Sequence, residues 1–224
     1  MKKALKNTLT LIAGLFFMAC LAQSTWATSF QNGDFETGDF TGWSGDLIYT
    51  GVVDPDSDSH FTIIPNAGPN NSYVAQVQND DTDWIATLYQ DFTLNALTPG
   101  WTMDITFWIK WAPTDSTQDE VSVQLQDTNY TDSIDLLDGV SDTALLAGTW
   151  VTQDITSFTQ TWGGQDVELS FTITDNDWVA NDLLQIDNIS FQQHAPAPVP
   201  EPSTVVLLGF GLAGIVGLRK KRVF

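Results

Sequence analysis

Between Thr102 and Trp111 apolar and polar side chains alternate without a break. Met103, Ile105, Phe107, Ile109 and Trp111 fall on one side of an extended backbone, and Asp104, Thr106, Trp108 and Lys110 on the other. Successive side chains of a β-strand point to opposite faces, so this run can bury one face and wet the other; wound as a helix it would scatter both sets around the axis. The same period returns twice. Val121, Val123 and Leu125 oppose Glu120, Ser122, Gln124 and Gln126, while Val167, Leu169, Phe171 and Ile173 oppose Glu168, Ser170, Thr172 and Thr174. Strands are predicted over 73–78, 85–94, 102–111, 120–126, 150–155, 167–174 and 184–191, separated by clusters of Gly, Asn, Asp and Pro. No segment carries a helical apolar period and no internal repeat is visible, so the expected class is all-β, an antiparallel sandwich of two sheets.

The two ends read differently from the middle. Met1, Lys2, Lys3 and Lys6 precede an apolar run over 9–21, and Thr25-Trp26-Ala27 places small residues at a cut after Ala27. A basic start, a short apolar core and a small-residue cleavage site make residues 1–27 a secretory signal peptide, its helix too short to span a membrane comfortably. At the other end Ala195-Pro196-Ala197-Pro198 is a stiff spacer leading through Pro200, Glu201 and Pro202 to an uncharged run over 204–218 and the basic stop Arg219-Lys220-Lys221-Arg222. The basic residues should stay on the cytoplasmic side of the inner membrane, leaving the domain outside. The expected division is therefore 1–27 signal, 28–194 folded domain, 195–202 spacer with the Pro-Glu-Pro motif, and 203–224 a short transmembrane helix with its stop.

Motif, brief apolar helix and basic stop, in that order at the C terminus, resemble the PEP-CTERM tail. The resemblance implies that an exosortase-type membrane protease cuts near Pro200-Glu201-Pro202 and passes the protein to the cell surface or beyond. An ordinary tail anchor that is never cut is the alternative.

Charge restricts the partners. Lys110 is the only basic Lys or Arg residue in 28–194, against 27 of the chain's 28 acidic residues, a formal charge of −26 for the domain. Such a surface repels phosphate backbones, which argues against nucleic acid and leaves neutral sugars, cations or basic partners. Cys20 is the only cysteine and lies in the signal, so neither a disulfide framework nor thiol chemistry is available to the domain.

The domain opens on Asn32-Gly33-Asp34-Phe35-Glu36, with Gly42-Trp43 a little later, and closes on Asp187-Asn188-Ile189-Ser190. This pair of end motifs resembles the galactose-binding-like jelly rolls found among carbohydrate-binding modules. The resemblance implies a structural Ca²⁺ joining first strand to last, which here would be held by Glu36 and Asp187, a carbonyl near Gly33, and Asp34. Six to eight oxygens at about 2.3–2.6 Å are what Ca²⁺ requires, and carboxylates with carbonyls supply them.

Trp108 is the candidate sugar platform, because its parity opposes the core and the apolar face of a pyranose stacks on such rings. Lys110, Glu120, Gln124, Gln126 and Glu168 are expected to line the same surface, with Trp84 and Trp178 at a rim and Trp43, Trp111, Trp150 and Trp162 packed inside or under loops. The acidic runs 54–58, 79–83 and 175–177 read as solvated loops. With His60 and His194 the only histidines, no hydrolytic triad and no zinc ligand set stands out. The expected function is a non-catalytic, exported surface or matrix protein that holds extracellular polysaccharide. The alternative is an acidic structural component of the envelope or biofilm with no defined sugar.

Overall fold

The structure, a computed structural model, describes residues 29–80, 82–114, 119–176 and 181–197. The expected signal segment, the Pro200-Glu201-Pro202 motif, the tail helix and Trp178 lie outside them. The chain separates into a unit ending at His194 and another beginning at Ala195. Among the described residues no helix is long and apolar enough to cross a membrane.

Among the described residues eleven strands carry the fold: β1 (Ser44–Leu47), β2 (Gly51–Val53), β3 (Phe61–Ile64), β4 (Val74–Gln78), β5 (Ile85–Thr93), β6 (Thr102–Ala112), β7 (Glu120–Asp127), β8 (Ser133–Asp135), β9 (Thr149–Asp154), β10 (Asp166–Thr174) and β11 (Leu183–His194). They form a six-stranded sheet in the order β2-β1-β5-β10-β7-β8 and a five-stranded sheet in the order β3-β4-β11-β6-β9. Every pairing is antiparallel. The predicted strands all exist within two or three residues of their expected ends.

The alternation does what it promised. Met103, Ile105, Phe107, Ile109 and Trp111 of β6 and Val167, Leu169, Phe171 and Ile173 of β10 are buried, each row facing the opposite sheet. Phe107 and Phe171 meet across that space edge to face, centroids 5.6 Å apart. Buried aromatic pairs in this geometry add roughly 0.5–1.5 kcal/mol to their area burial.

Four short strands and two helices escaped the sequence. β1, β2, β3 and β8 are three or four residues long, too short to show a period. The helices α1 (Asp142–Ala147) and α2 (Thr156–Trp162) span under two turns. Ser141 caps α1, its Oγ accepting from the Ala144 N–H at 3.3 Å, and Leu145 anchors it in the core. Truncation of Phe171 to Ala should lower the unfolding free energy by about 3–5 kcal/mol. Gln124→Ala on the outer face of β7 should stay within about 0.5 kcal/mol; urea denaturation of both variants checks the pair.

Candidate binding groove and the closing-strand carboxylate

The outer face of the six-stranded sheet carries a groove of about 400 Å³. Three cross-strand rows build it, and backbone register fixes each. Val52, Asp46, Thr87 and Thr172 stand side by side across β2, β1, β5 and β10, with Thr87 Oγ1 and Thr172 Oγ1 hydrogen-bonded at 2.9 Å. Tyr89 is paired with Ser170 in the next row, and Glu168 stands between Asp91 and Gln126 in the third. Ser170 and Glu168 are buried and form the floor.

Tyr130 closes one side. It sits at φ 57° in the turn between β7 and β8. Asp127 holds that turn, its carboxylate accepting the N–H groups of Asn129 (3.0 Å), Thr131 (2.7 Å) and Asp132 (2.7 Å). Burial alone would push the Asp127 carboxyl up, but these backbone donors hold it below the ordinary range. The result places the Tyr130 Oη, which donates to Glu168 Oε2 at 3.2 Å, over a floor where Gln126 Nε2 donates to Glu168 Oε1 at 2.6 Å. Tyr130 is nevertheless 69% exposed, an aromatic ring held in place and open to solvent.

Burial raises the Glu168 carboxyl, and the nearby Asp91 and Asp46 charges push it further. Burial likewise raises Asp91, with Asp166 adding to it. Directly opposed like charges oppose sheet formation, so the Asp91–Glu168 pair is a cost built into this face. Chemically the groove offers two phenol rings, hydroxyls, an amide and carboxylates: stacking surface and hydrogen-bonding groups for a hydroxyl-rich ligand, and repulsion for an anion.

The residues expected to share one surface are divided between two. Trp108 and Lys110 lie on β6 in the five-stranded sheet, whereas Glu120, Gln124, Gln126 and Glu168 lie on β7 and β10 in the other. Their outward parity is correct, but the two outward faces point away from each other across the core. Parity tells inside from outside on each strand and carries nothing about which sheet the strand joins. Of the six, Gln126 and Glu168 reach the groove; Gln124 stands beside Ser170 in register, and Glu120 lines a separate depression with Trp111 and Asp142. Tyr89, Tyr130 and Asp91 were missed.

Trp108 is half-buried, partly under Gly148, where an added Cβ would come within 2.9 Å of its ring and φ is +81°. Its register partner Trp150, expected inside, is 51% exposed. Trp150 borders a second depression of about 530 Å³ with Asp34, Thr106, Asn188 and Gln192. The acidic runs are also more structural than expected: Asn79, Asp83 and Asp175 are buried.

Asp187 follows Ile186 on β11 and pairs with Trp108 just before a bulge, where Asn188 takes φ 54° and shifts the register. Its carboxylate is fully buried. Oδ2 accepts from Ser72 Oγ (2.5 Å) and Asn188 Nδ2 (2.6 Å), and Oδ1 from the Asn188 N–H (2.6 Å). Burial and the neighbouring Glu36 charge push it up to about 6 despite those donors. Glu36 Oε1 accepts the Tyr73 N–H at 2.9 Å, the Gly33 carbonyl accepts the Ile189 N–H at 2.8 Å, and Asp34 Oδ1 accepts the Glu36 N–H at 3.4 Å. Asp187 and Glu36 offer oxygen donors of the kind a hard cation such as Ca²⁺ takes, but the ligand atoms of Asp34, Glu36 and Asp187 do not all lie within 4.8 Å of one another.

Residues 198–222 match the PEP-CTERM protein-sorting motif. A comparison with curated protein sequences returned no match. Among solved structures the chain is similar to a family 61 carbohydrate-binding module in complex with β-1,4-galactotriose, with 15% identity over 75% of this chain and 99% of that one, at a TM-score of 0.48. It is similar also to a family 28 module specific for non-crystalline cellulose, with 16% identity over 73% and 95% and a TM-score of 0.42. The CBM22-1 xylan-binding domain from Paenibacillus barcinonensis gives 10% identity over 74% and 94%, also at 0.42. The sorting motif indicates a secreted protein that is anchored by its C terminus and processed by exosortase. The chain is therefore an exported protein carrying the PEP-CTERM protein-sorting motif, and its folded domain is an antiparallel sandwich of two sheets.

Proposed function

We propose that the domain is a non-catalytic module that holds an extracellular polysaccharide in the groove of the six-stranded sheet. The observation that carries this reading is Tyr130, an exposed ring fixed by an Asp127-braced turn beside a floor of Glu168, Gln126 and Ser170. Binding fits this arrangement better than cleavage. Glycosidases set two carboxyl groups on either side of the scissile bond, whereas Asp91 and Glu168 are register neighbours rising from one sheet face. The domain's charge favours a neutral glycan over an acidic one. That same charge supports a second reading, an acidic matrix component acting through cation bridges.

A glycan array and an insoluble-polysaccharide pulldown, run across salt concentrations, separate the two. Saturable binding to neutral glycans that survives high salt is expected; retention that disappears with salt supports the charge-only role. Tyr130→Ala should weaken binding at least tenfold while lowering stability by no more than about 1.5 kcal/mol, the worth of its hydrogen bond to Glu168. Trp150→Ala should leave binding intact, and the reverse pair of results would move the site to the five-stranded sheet.

We also propose a structural Ca²⁺ at Asp187 and Glu36, supported by the buried Asp187 carboxylate and the exposed Glu36 carboxylate whose charge acts on it. Chelation should lower the melting temperature, and Asp187→Asn should abolish that effect. In chelator the pH dependence has a definite sign. A carboxyl raised from 3.8 to about 6 in the fold makes the folded state bind the extra proton, so its stabilising contribution is present below about pH 4 and lost as pH rises through 6. Asp187→Asn should accordingly gain on the wild type in melting temperature between pH 4 and 7; parallel curves for the two proteins would contradict it.

A further inference from the structure

His60 lies just before β3, and its imidazole is held between carboxylates from two segments. Nδ1 is 2.7 Å from Asp58 Oδ1, which also accepts the His60 backbone N–H at 2.9 Å. When a carboxylate accepts a hydrogen bond from the Nδ1 proton, the Nε2 lone pair is left directed away from it, the arrangement that orients metal-binding histidines. Nε2 is buried and makes no hydrogen bond among the described residues, yet Asp80 Oδ2 stands 3.2 Å from it. That contact needs positive charge between the two atoms, either a second imidazole proton or a bound cation.

Asp83 completes the group. One ligand atom each from His60, Asp80 and Asp83 lie within 4.8 Å of one another. Asp83 is buried and anchored, Oδ1 accepting the N–H groups of Tyr49 (3.0 Å) and Thr50 (3.3 Å) and Oδ2 the Thr50 hydroxyl (2.9 Å). A carboxylate has about four acceptor sites, so one remains. Asp80 Oδ1 accepts the Asp83 and Thr82 N–H groups, each at 2.7 Å, which leaves Oδ2 on the imidazole side.

We propose that His60 Nε2, Asp80 and Asp83 form a binding site for a divalent transition ion of the zinc class, with the fourth position left to water. Imidazole with two carboxylates suits such an ion, whereas Ca²⁺ takes six to eight oxygens and no nitrogen. Tetrahedral bonds of about 2.1 Å place ligand atoms about 3.4 Å apart, within a modest contraction of the present cluster. The ion would tie the loop before β3 to the end of β4 and the start of β5, and through Asp83 to the turn between β1 and β2. None of these residues lines the groove or the Asp187 pocket, so this site stands or falls independently of both.

The test is calorimetric titration of the chelator-stripped mature protein with zinc sulfate at pH 7.5, with melting temperatures and imidazole NMR recorded in parallel. One ion per chain, a raised melting temperature and a shifted His60 Nε2 resonance are expected. His60→Gln and Asp80→Asn should lose all of these that remain observable, while Asp187→Asn keeps them. Zinc uptake that persists unchanged in His60→Gln would show nonspecific carboxylate binding and overturn the proposal. So would an unperturbed wild-type imidazole carrying protons on both nitrogens at pH 7.5, since a proton would then fill the place assigned to the metal. The wild-type NMR signal decides the matter even if the variants fail to fold.

Discussion

The pairing of β5 with β10, nine residues in unbroken register, is the interaction on which both the core and the groove depend. Opposite faces of the same two strands carry the two jobs. Leu88 and Phe171, paired in register, point into the core, and their neighbours Tyr89 and Ser170 point into the groove. A slip by one residue would exchange the faces, moving Phe171 out of the core and turning carboxylates into it. The core therefore enforces the register, and the register assembles the site without any contribution from loop flexibility. Only Tyr130 comes from a turn, and Asp127 immobilises that turn with three backbone hydrogen bonds.

That division explains why a costly arrangement persists. Asp91 faces Glu168 across the ladder, two like charges in a position where an apolar or oppositely charged pair would stabilise the sheet. The deviation from local optimum falls where the groove is, as expected when function rather than folding selects the residues. The same logic applies to Asp187, a carboxylate buried beside Glu36 at the bulge of β11. In a domain with Lys110 as its only lysine or arginine, little basic side-chain charge is on hand to offset such pairs.

Much of the architecture was legible in the sequence because it is written in period two. The runs through Phe107, Val123 and Phe171 announced their strands and their inner faces, and the structure keeps them. The assignment of strands to sheets was not legible. Trp108 and Glu168 both face outward, but nothing local says that β6 and β10 belong to opposite layers, so one imagined surface became two. Tyr89 carried a usable signal, since it alternates with Leu88 in a predicted strand and shares the parity of Asp91. Tyr130 carried none, because its position depends on a left-handed turn conformation and on Asp127 five or fewer residues from every donor it holds. His60 was set aside for lack of a second histidine or a cysteine, whereas its partners are aspartates brought from residues 58, 80 and 83 by the pairing of β3 with β4. The sorting tail was the easiest segment to recognise, being a contiguous motif that requires no tertiary contact.

The most direct test of the central claim is hydrogen-exchange mass spectrometry of the mature protein with and without the neutral glycan that it binds best. Protection confined to β5, β10 and the turn bearing Tyr130 is the expected outcome. Protection on β6 and β9 around Trp108 and Trp150, or no protection on either sheet, would contradict it.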